Sequence, residues 1–193
     1  MQMETEITVL VKSDYDTLKK ELEQNGFVIK EQFVLRDIYL LNNKINISNM
    51  DSLDILKNCV LVREVIGIEM ELVYKYKKYD NNGDILEQGK VECPITDVKK
   101  AIQFMDAIEY KELFIINDKC IVFANDRTEL MVQLVNNKYI FIEMEAKCKY
   151  IDKVYANIDG LKEDICSYNL SIDKSNFFVK KAEIILNEVL NNN

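Results

Sequence analysis

Four glutamates in this chain would form a metal site if the fold brings them together. Glu4 and Glu6 form one Glu-x-Glu pattern near the N-terminus, and Glu143 and Glu145 form a second pattern far along the chain. Polar and apolar residues alternate around both patterns, and side chains two positions apart share one face of a β-strand. Carboxylate oxygens are the ligands that hard divalent cations prefer. The two patterns therefore predict a metal site on two paired strands.

The residue types present limit the remaining chemistry. The chain contains no histidine, which excludes Ser-His-Asp and Cys-His catalysis and histidine metal sites. Its five cysteines form no C-x-x-C pattern and are odd in number, which disfavours a zinc site and a secreted disulfide framework. We expect reduced cysteines and a cytoplasmic location. Any catalysis must then use carboxylates, lysines or a metal.

Length and charge set the class of protein. With 193 residues, the chain suits a single domain over 1–193, with a helical C-terminal segment at about 150–191. A net charge of −8 disfavours nucleic acid as a partner, and no apolar run is long enough to span a membrane. The sequence does not give the oligomeric state and leaves a homodimer open.

Alternating patterns separated by turn signals predict a sheet with a few helices. We expect strands at about 4–12, 27–41, 59–66, 69–79, 84–95, 109–116, 119–125, 128–135 and 138–148. Polar turn residues separate several of them, at 80–83, 117–118, 125–126 and 136–137. Helical patterns fall at about 14–24, 97–106, 151–168 and 174–191. Tight turns between many strands favour an antiparallel meander with helices outside it.

One face of most strands is apolar and the other is charged, and this pattern has two interpretations. The charged face carries acids and bases together, namely Glu4, Glu6, Arg63, Glu69, Glu71, Lys75, Lys77, Lys90, Glu92, Lys119, Glu129, Glu143 and Glu145. In the first interpretation, an ordinary half-exposed sheet turns this face to water. In the second, helices cover the apolar outside of a barrel and the charges line its bore.

Several short motifs occur in an order that resembles a known family. They are the N-terminal Glu-x-Glu, Asp37-Ile38-Tyr39, Val62-Arg63-Glu64, Val73-Tyr74-Lys75, the late Glu-x-Glu and a helical C-terminus. Together they resemble the CYTH superfamily, the triphosphate tunnel metalloenzymes, which includes class IV adenylate cyclases, thiamine triphosphatases and inorganic tripolyphosphatases. The resemblance spans nearly the whole chain. It implies an α+β fold in which an antiparallel eight-stranded β-barrel forms a triphosphate tunnel with helices packed outside.

The resemblance also implies roles for particular residues. Mg²⁺ or Mn²⁺ would be the cofactor, held by Glu4, Glu6, Glu143 and Glu145. Phosphate oxygens of a small triphosphate or polyphosphate ligand would contact Arg63, Lys75 and Lys119, and by alternation Lys90. Catalysis would fall to Glu4, Glu6 and Lys75.

The chain departs from the family pattern at several positions. Thr8, Leu61, Gln88 and Ile121 stand where basic residues are usual, and Gln133 stands where an aspartate is usual. Each lost arginine removes up to two charge-assisted hydrogen bonds to phosphate. The acids on the charged face are then at least as numerous as the bases. This ratio of acids to bases favours a metal-binding site over a site that binds anions tightly.

The expected function is metal-dependent hydrolysis of a triphosphate compound to diphosphate and phosphate. No signal for base recognition is visible, so we prefer hydrolysis to the cyclisation of ATP by a class IV-type adenylate cyclase. The main alternative is a catalytically silent module that binds a phosphate-containing ligand or a cation. A scaffold that uses its acidic exterior for protein contacts is a third interpretation.

Overall fold

The computed structural model describes residues 2–3, 5–79 and 85–192. Glu4 and the predicted turn at 80–83 lie outside the described residues. The strands are β1 Gln2–Met3, β2 Glu6–Leu10, β3 Val28–Asn42, β4 Val60–Val65, β5 Glu69–Tyr79, β6 Ile85–Pro94, β7 Tyr110–Ala124, β8 Glu129–Val135 and β9 Tyr139–Glu145. The helices are α1 Tyr15–Gln24, α2 Ser52–Lys57, α3 Val98–Ala107, α4 Ile158–Ser167 and α5 Lys181–Asn191.

Antiparallel pairing joins the described strands into one sheet, in the order β1-β6-β5-β4-β3-β7-β8-β9-β2. Eight of these strands have five or more residues, and β1 has two. The N-terminal segment supplies both ends of the order, since β1 pairs with β6 and β2 pairs with β9. The predicted α+β class, with an eight-stranded antiparallel sheet and helices outside it, is confirmed.

Some predicted boundaries were wrong. The strands predicted at 109–116 and 119–125 are one continuous strand, β7, and the expected turn at 117–118 is extended backbone in which Asp118 pairs with Val135. The helix predicted from 151 begins only at Ile158, because the chain before it makes a bridge between Lys147 and Val154. The helix predicted from 174 begins at Lys181. In each case long-range backbone pairing overrides a local signal.

The chain divides into two compact units. Unit 1 comprises Met1–Met3, Val34–Asn117 and Lys180–Asn193, and unit 2 comprises Glu4–Phe33 and Asp118–Val179. The long strands β3 and β7 each contribute to both units. The prediction of a single domain is not tested by this division and stays a prediction.

Unit 1 buries one face of its strands under helix α3. Ile38, Leu40 and Val62 from the sheet pack with Ala101 and Met105 from the helix. Asp97 caps α3, because its side chain accepts a hydrogen bond from the backbone N–H of Lys100 at 3.0 Å. Arg63 of β4, Glu71 and Lys75 of β5, and Lys90 and Glu92 of β6 take the opposite face by the period of two.

Unit 2 follows the same plan with a larger core. Helices α1 and α4 contribute Leu18, Leu22, Leu161 and Ile165 to a cluster that covers Ile7, Val9, Val132, Ile142 and Met144 of the sheet. Burying such side chains contributes about 1.5–3 kcal/mol each, so this face is fixed firmly against the helices. The glutamates of β2 and β9 must then point to the other face. No helix in the described part of the chain is long and apolar enough to cross a membrane.

Candidate metal site and charged sheet faces

The structure brings together three of the four predicted metal ligands. In the pairing of β2 with β9, Glu6 lies directly opposite Glu145, and Thr8 lies opposite Glu143. Ile7 and Met144 form the intervening pair and face the apolar core. Cross-strand partners share a face, so Glu6, Glu143 and Glu145 converge on one side of the sheet.

The oxygens of these three carboxylates are close enough to share one ion. One oxygen from each of Glu6, Glu143 and Glu145 lies within 4.8 Å of the others. Glu6 and Glu143 are half-buried and Glu145 is exposed, so the group is open to solvent on one side. We call these three residues the acidic triad. Three carboxylate oxygens suit a hard divalent cation such as Mg²⁺ or Mn²⁺, which also keeps water in its coordination shell.

Neutral side chains surround the acidic triad on its own face. Gln133 is buried, and its Nε2 donates a hydrogen bond to Oε2 of Glu143 at 3.3 Å. Thr8 and Cys120 are also buried on this face. Neither lysine nor arginine is found on this face in β2, β8, β9 or residues 118–124 of β7. The carboxylates therefore receive little positive charge from these four strand segments.

A segment of the C-terminal region holds the free edge of β2. The backbone N–H of Thr8 donates to the carbonyl of Phe177 at 2.9 Å, and that of Val179 donates to the carbonyl of Thr8 at 3.0 Å. Lys12 donates to Ser171 at 2.7 Å in the same way. These bonds fix the strand that carries Glu6 from the side opposite β9.

In unit 1 the charged face is built around a buried ion pair. Arg63 donates from Nε to Oδ1 of Asp37 and from Nη2 to Oδ2, both at 2.7 Å. The side chains are 15% and 6% exposed. Burial raises the pKa of Asp37, but the hydrogen bonds and charge of Arg63 outweigh it, so that the pKa lies below its ordinary value. Arg63, predicted to contact phosphate, thus has two of its donors directed at Asp37.

Two predicted phosphate ligands lie beside this pair and directly oppose each other. Lys75 of β5 is the cross-strand partner of Lys90 of β6. Lys90 makes an ion pair with Glu92, with 2.7 Å between Nζ and Oε1. Burial and the charge of Glu92 raise the pKa of Glu71 on the same face, although Arg63 acts against this shift. The face therefore holds cations that already have acidic neighbours.

The structure does not bring Lys119 to the acidic triad. Lys119 pairs with Leu134 and Ile121 pairs with Val132, which places both on the apolar face of unit 2. Ile121 is buried in the core, where an arginine would not find water. Their neighbour Cys120 occupies the triad's face instead. The resemblance implies that Lys119 and Ile121 face the ligand, whereas the register of β7 with β8 turns both to the apolar face, since a shift of one residue exchanges the faces.

Two sets of side-chain contacts, one at Asp37 and one at Asp164, could not be predicted from the sequence. Asp37 was noted only as part of a motif, and its pairing with Arg63 depends on the register of β3 with β4. In unit 2, Asp164 of α4 accepts hydrogen bonds from Lys153 at 2.6 Å, from Arg127 at 3.1 Å and from Tyr155. Burial and the bond to Asp164 raise the pKa of Tyr155 to about 12. This network ties α4 to the loops beside it.

The fold and the site define an α+β protein whose antiparallel sheet carries a cluster of carboxylates on the face away from its helices. No family model matches the sequence, and the comparison with curated proteins found no match. Solved structures do resemble it. PH1819 from Pyrococcus horikoshii OT3 has a TM-score of 0.65 at 18% identity, covering 96% of this chain and 99% of that chain.

Two further similar structures carry functional descriptions. HpAC1 from Hippeastrum, a candidate adenylyl cyclase described as having a dominant triphosphatase activity, has a TM-score of 0.64 at 13% identity, covering 96% of each chain. A candidate adenylate cyclase from Vibrio parahaemolyticus has a TM-score of 0.61 at 13% identity, covering 98% of each chain. At these identities the likeness shows the fold alone.

Proposed function

We propose that this chain is a divergent member of the CYTH superfamily that hydrolyses a triphosphate compound with the help of Mg²⁺ or Mn²⁺. The observation that carries the proposal is the acidic triad, which gathers three carboxylate oxygens within 4.8 Å. The fold shared with a protein described as a triphosphatase gives further support.

The residues of this chain would have distinct tasks. Glu6, Glu143 and Glu145 would hold the cation, which would supply positive charge to the phosphate oxygens. Gln133 holds Glu143 in place through its hydrogen bond. Lys75 and Lys90 are the cations of unit 1 that we propose as phosphate contacts. Two lysines directly opposite each other on one face repel, and a bound anion would relieve this repulsion.

A second candidate function is a module that binds its ligand without turnover. The observation that favours it is the bidentate ion pair between Arg63 and Asp37. This pair occupies two donors of Arg63 that catalysis of phosphoryl transfer would use. Thr8 and Leu61, where the family has basic residues, add no charge. In this second function the acidic triad and the lysine pair would bind a cation and a phosphate group without accelerating hydrolysis.

Phosphate release from tripolyphosphate, ATP and thiamine triphosphate, with Mg²⁺ and with Mn²⁺, tests the first proposal. We expect release from at least one compound, dependent on the metal and lost in Glu143→Gln. Exposed Glu163 on α4 provides the control, and Glu163→Gln should retain the activity.

A parallel melting assay separates the two functions. A ligand at 100 times its Kd stabilises the folded state by about 2.7 kcal/mol, whether or not it is turned over. Stabilisation without phosphate release would select the binding module. Absence of both responses with all three compounds would contradict both functions.

A further inference from the structure

One lysine of unit 2 follows the acidic triad along the chain. Lys147 comes two residues after Glu145, just beyond the end of β9. The backbone between them is paired on both sides. The N–H of Ala146 donates to the carbonyl of Thr5 at 2.8 Å, and the carbonyl of Ala146 accepts from the N–H of Tyr155 at 2.7 Å. These bonds hold the segment that carries Lys147 next to the acidic triad.

The neighbours of Lys147 in the chain determine the side to which its side chain points. Ala146 and Cys148, before and after it, both pack against the core of unit 2. A residue between two core-facing neighbours points to the other side of the chain, which is the side of the acidic triad. Lys147 makes an antiparallel bridge with Val154, which is 69% exposed, so a ligand in solution can reach this position.

Lys147 differs from the other two lysines of the same loop in its partners. Lys149 forms an ion pair with Glu31, and Lys153 forms one with Asp164, with 2.7 Å and 2.6 Å between nitrogen and oxygen. Lys147 is exposed, and it takes part in no ion pair among the described residues. Its positive charge is therefore available to a ligand.

The charges on the same side of the sheet are negative, which decides when an anion can bind there. Besides the acidic triad, Glu129 at the start of β8 lies on this face, where its Oε2 accepts from the backbone N–H groups of Lys149 and Tyr150 at 2.9 and 2.6 Å. These carboxylates repel a free anion. A divalent cation bound by the three carboxylates of the triad would leave one negative charge there, which the ammonium group of Lys147 offsets.

We propose that Lys147 binds phosphate beside the acidic triad: its ammonium group donates to a phosphate oxygen of a ligand that the cation at the triad also holds. This inference rests on the proposed function, since it takes the acidic triad as the cation site. A lysine contributes to phosphate binding as a compact charge on a flexible stem. Phosphate binding through Lys147 should therefore depend on the cation.

The test uses inorganic diphosphate, the product that the proposed hydrolysis leaves intact. Calorimetry on the full chain measures three affinities: for Mn²⁺ alone, for diphosphate at saturating Mn²⁺, and for diphosphate in EDTA. Wild type is compared with Lys147→Gln, with the conservative variant Lys147→Arg and with the control Lys12→Gln. Lys12 is also exposed, but it lies about 20 Å along the chain from Glu6, where it pairs with Asp173.

We expect Lys147→Gln to bind diphosphate at saturating Mn²⁺ about tenfold more weakly than wild type, because a charge-assisted hydrogen bond is lost. Its affinity for Mn²⁺ alone should equal or exceed that of wild type, since a positive charge near the carboxylates is removed. In EDTA, both proteins should bind diphosphate equally weakly. Lys147→Arg should keep most of the diphosphate affinity, and Lys12→Gln should match wild type throughout.

The outcomes separate this inference from the proposed function. Equal diphosphate affinity of wild type and Lys147→Gln at saturating Mn²⁺ would overturn the role of Lys147 alone. An equal loss of affinity for Mn²⁺ and for diphosphate would show a structural role and would also overturn it, as would a tenfold difference that persists in EDTA. If wild type binds no Mn²⁺, the acidic triad is not a cation site, and both proposals fail together.

Discussion

Each unit of this protein places two like charges directly opposite each other on neighbouring strands. In unit 2 the pair is Glu6 and Glu145, and in unit 1 it is Lys75 and Lys90. Like charges in this arrangement destabilise a sheet. The proposed function places ligands of opposite charge at these two pairs: a cation in unit 2 and an anion in unit 1.

The surroundings of the two pairs differ, and the difference shows how each face is balanced. Next to the glutamates on the same face lie the neutral side chains of Thr8, Gln133 and Cys120. Around the lysines, Glu71 and Glu92 supply acids within the same face. The strand neighbours of the glutamates in unit 2 are thus neutral, whereas the face in unit 1 sets acids and bases side by side.

The largest expected effect is on cation binding in unit 2. The double variant Glu6→Gln/Glu145→Gln keeps size and hydrogen bonding but removes two charges from the acidic triad. We expect the affinity for Mn²⁺ to fall by at least about 100-fold, because hard cations bind ionised carboxylate oxygens more tightly than neutral amide oxygens. Calorimetry measures it, with Glu163→Gln as the control. Unchanged Mn²⁺ affinity in a well-folded double variant would contradict cation binding by the acidic triad.

The second prediction concerns the buried ion pair of unit 1. Asp37→Asn leaves the guanidinium of Arg63 buried without its counter-charge, and we expect a loss of about 3–5 kcal/mol in the free energy of unfolding. Urea denaturation measures the loss. Glu64→Gln, on the other face of the same sheet, should lose less than about 1 kcal/mol. A loss of similar size in both variants would mean that the Asp37–Arg63 pair is not energetically special.

The same pair predicts a pH dependence. The pKa of Asp37 is lower in the folded state than in the unfolded chain. Its contribution to stability is therefore complete above the unfolded value and is lost as the pH falls toward the folded value. In acid the difference in stability between wild type and Asp37→Asn should shrink. A difference that stays constant from neutral pH to acid would contradict the assigned shift.

A smaller loss is expected from the carboxylate network of unit 2. Asp164→Asn weakens the bonds from Lys153 and Arg127, but these side chains are 33% and 56% exposed and can return to water. We expect a loss of about 2 kcal/mol, less than for Asp37→Asn, because no cation is left stranded in the interior. Urea denaturation of the two variants side by side tests this order, and the reverse order would contradict it.

The smallest effects are expected at two turns. Glu109 of unit 1 has a φ of 70°, and Asn137 of unit 2 has a φ of 54°. Glycine adopts this region without strain, whereas asparagine tolerates it better than glutamate. Glu109→Gly should stabilise the protein by about 0.5–1 kcal/mol, and Asn137→Gly by less. Thermal melting measures both shifts, and a larger gain at Asn137 would contradict the strain argument.

Much of the fold could be predicted from the chain. The alternation around Glu6 and around Glu143 and Glu145 assigned both strands and both faces, because burial of Ile7 and Met144 leaves the glutamates only one side. The capped helices α1 and α3 and the Asn136-Asn137 turn also carried clear local signals. The face of Lys119 could not be found, because it depends on the register of β7 with β8.

The sequence by itself determined which residues share a face of a strand, since the period of two is a property of the extended backbone. It also excluded histidine chemistry and set the excess of acid. Only the tertiary structure decided which faces meet across strands: Glu6 with Glu145, Lys75 with Lys90, and Asp37 with Arg63. Registers between distant strands depend on the packing of whole faces against helices α1, α3 and α4. No local pattern along the chain contains that information.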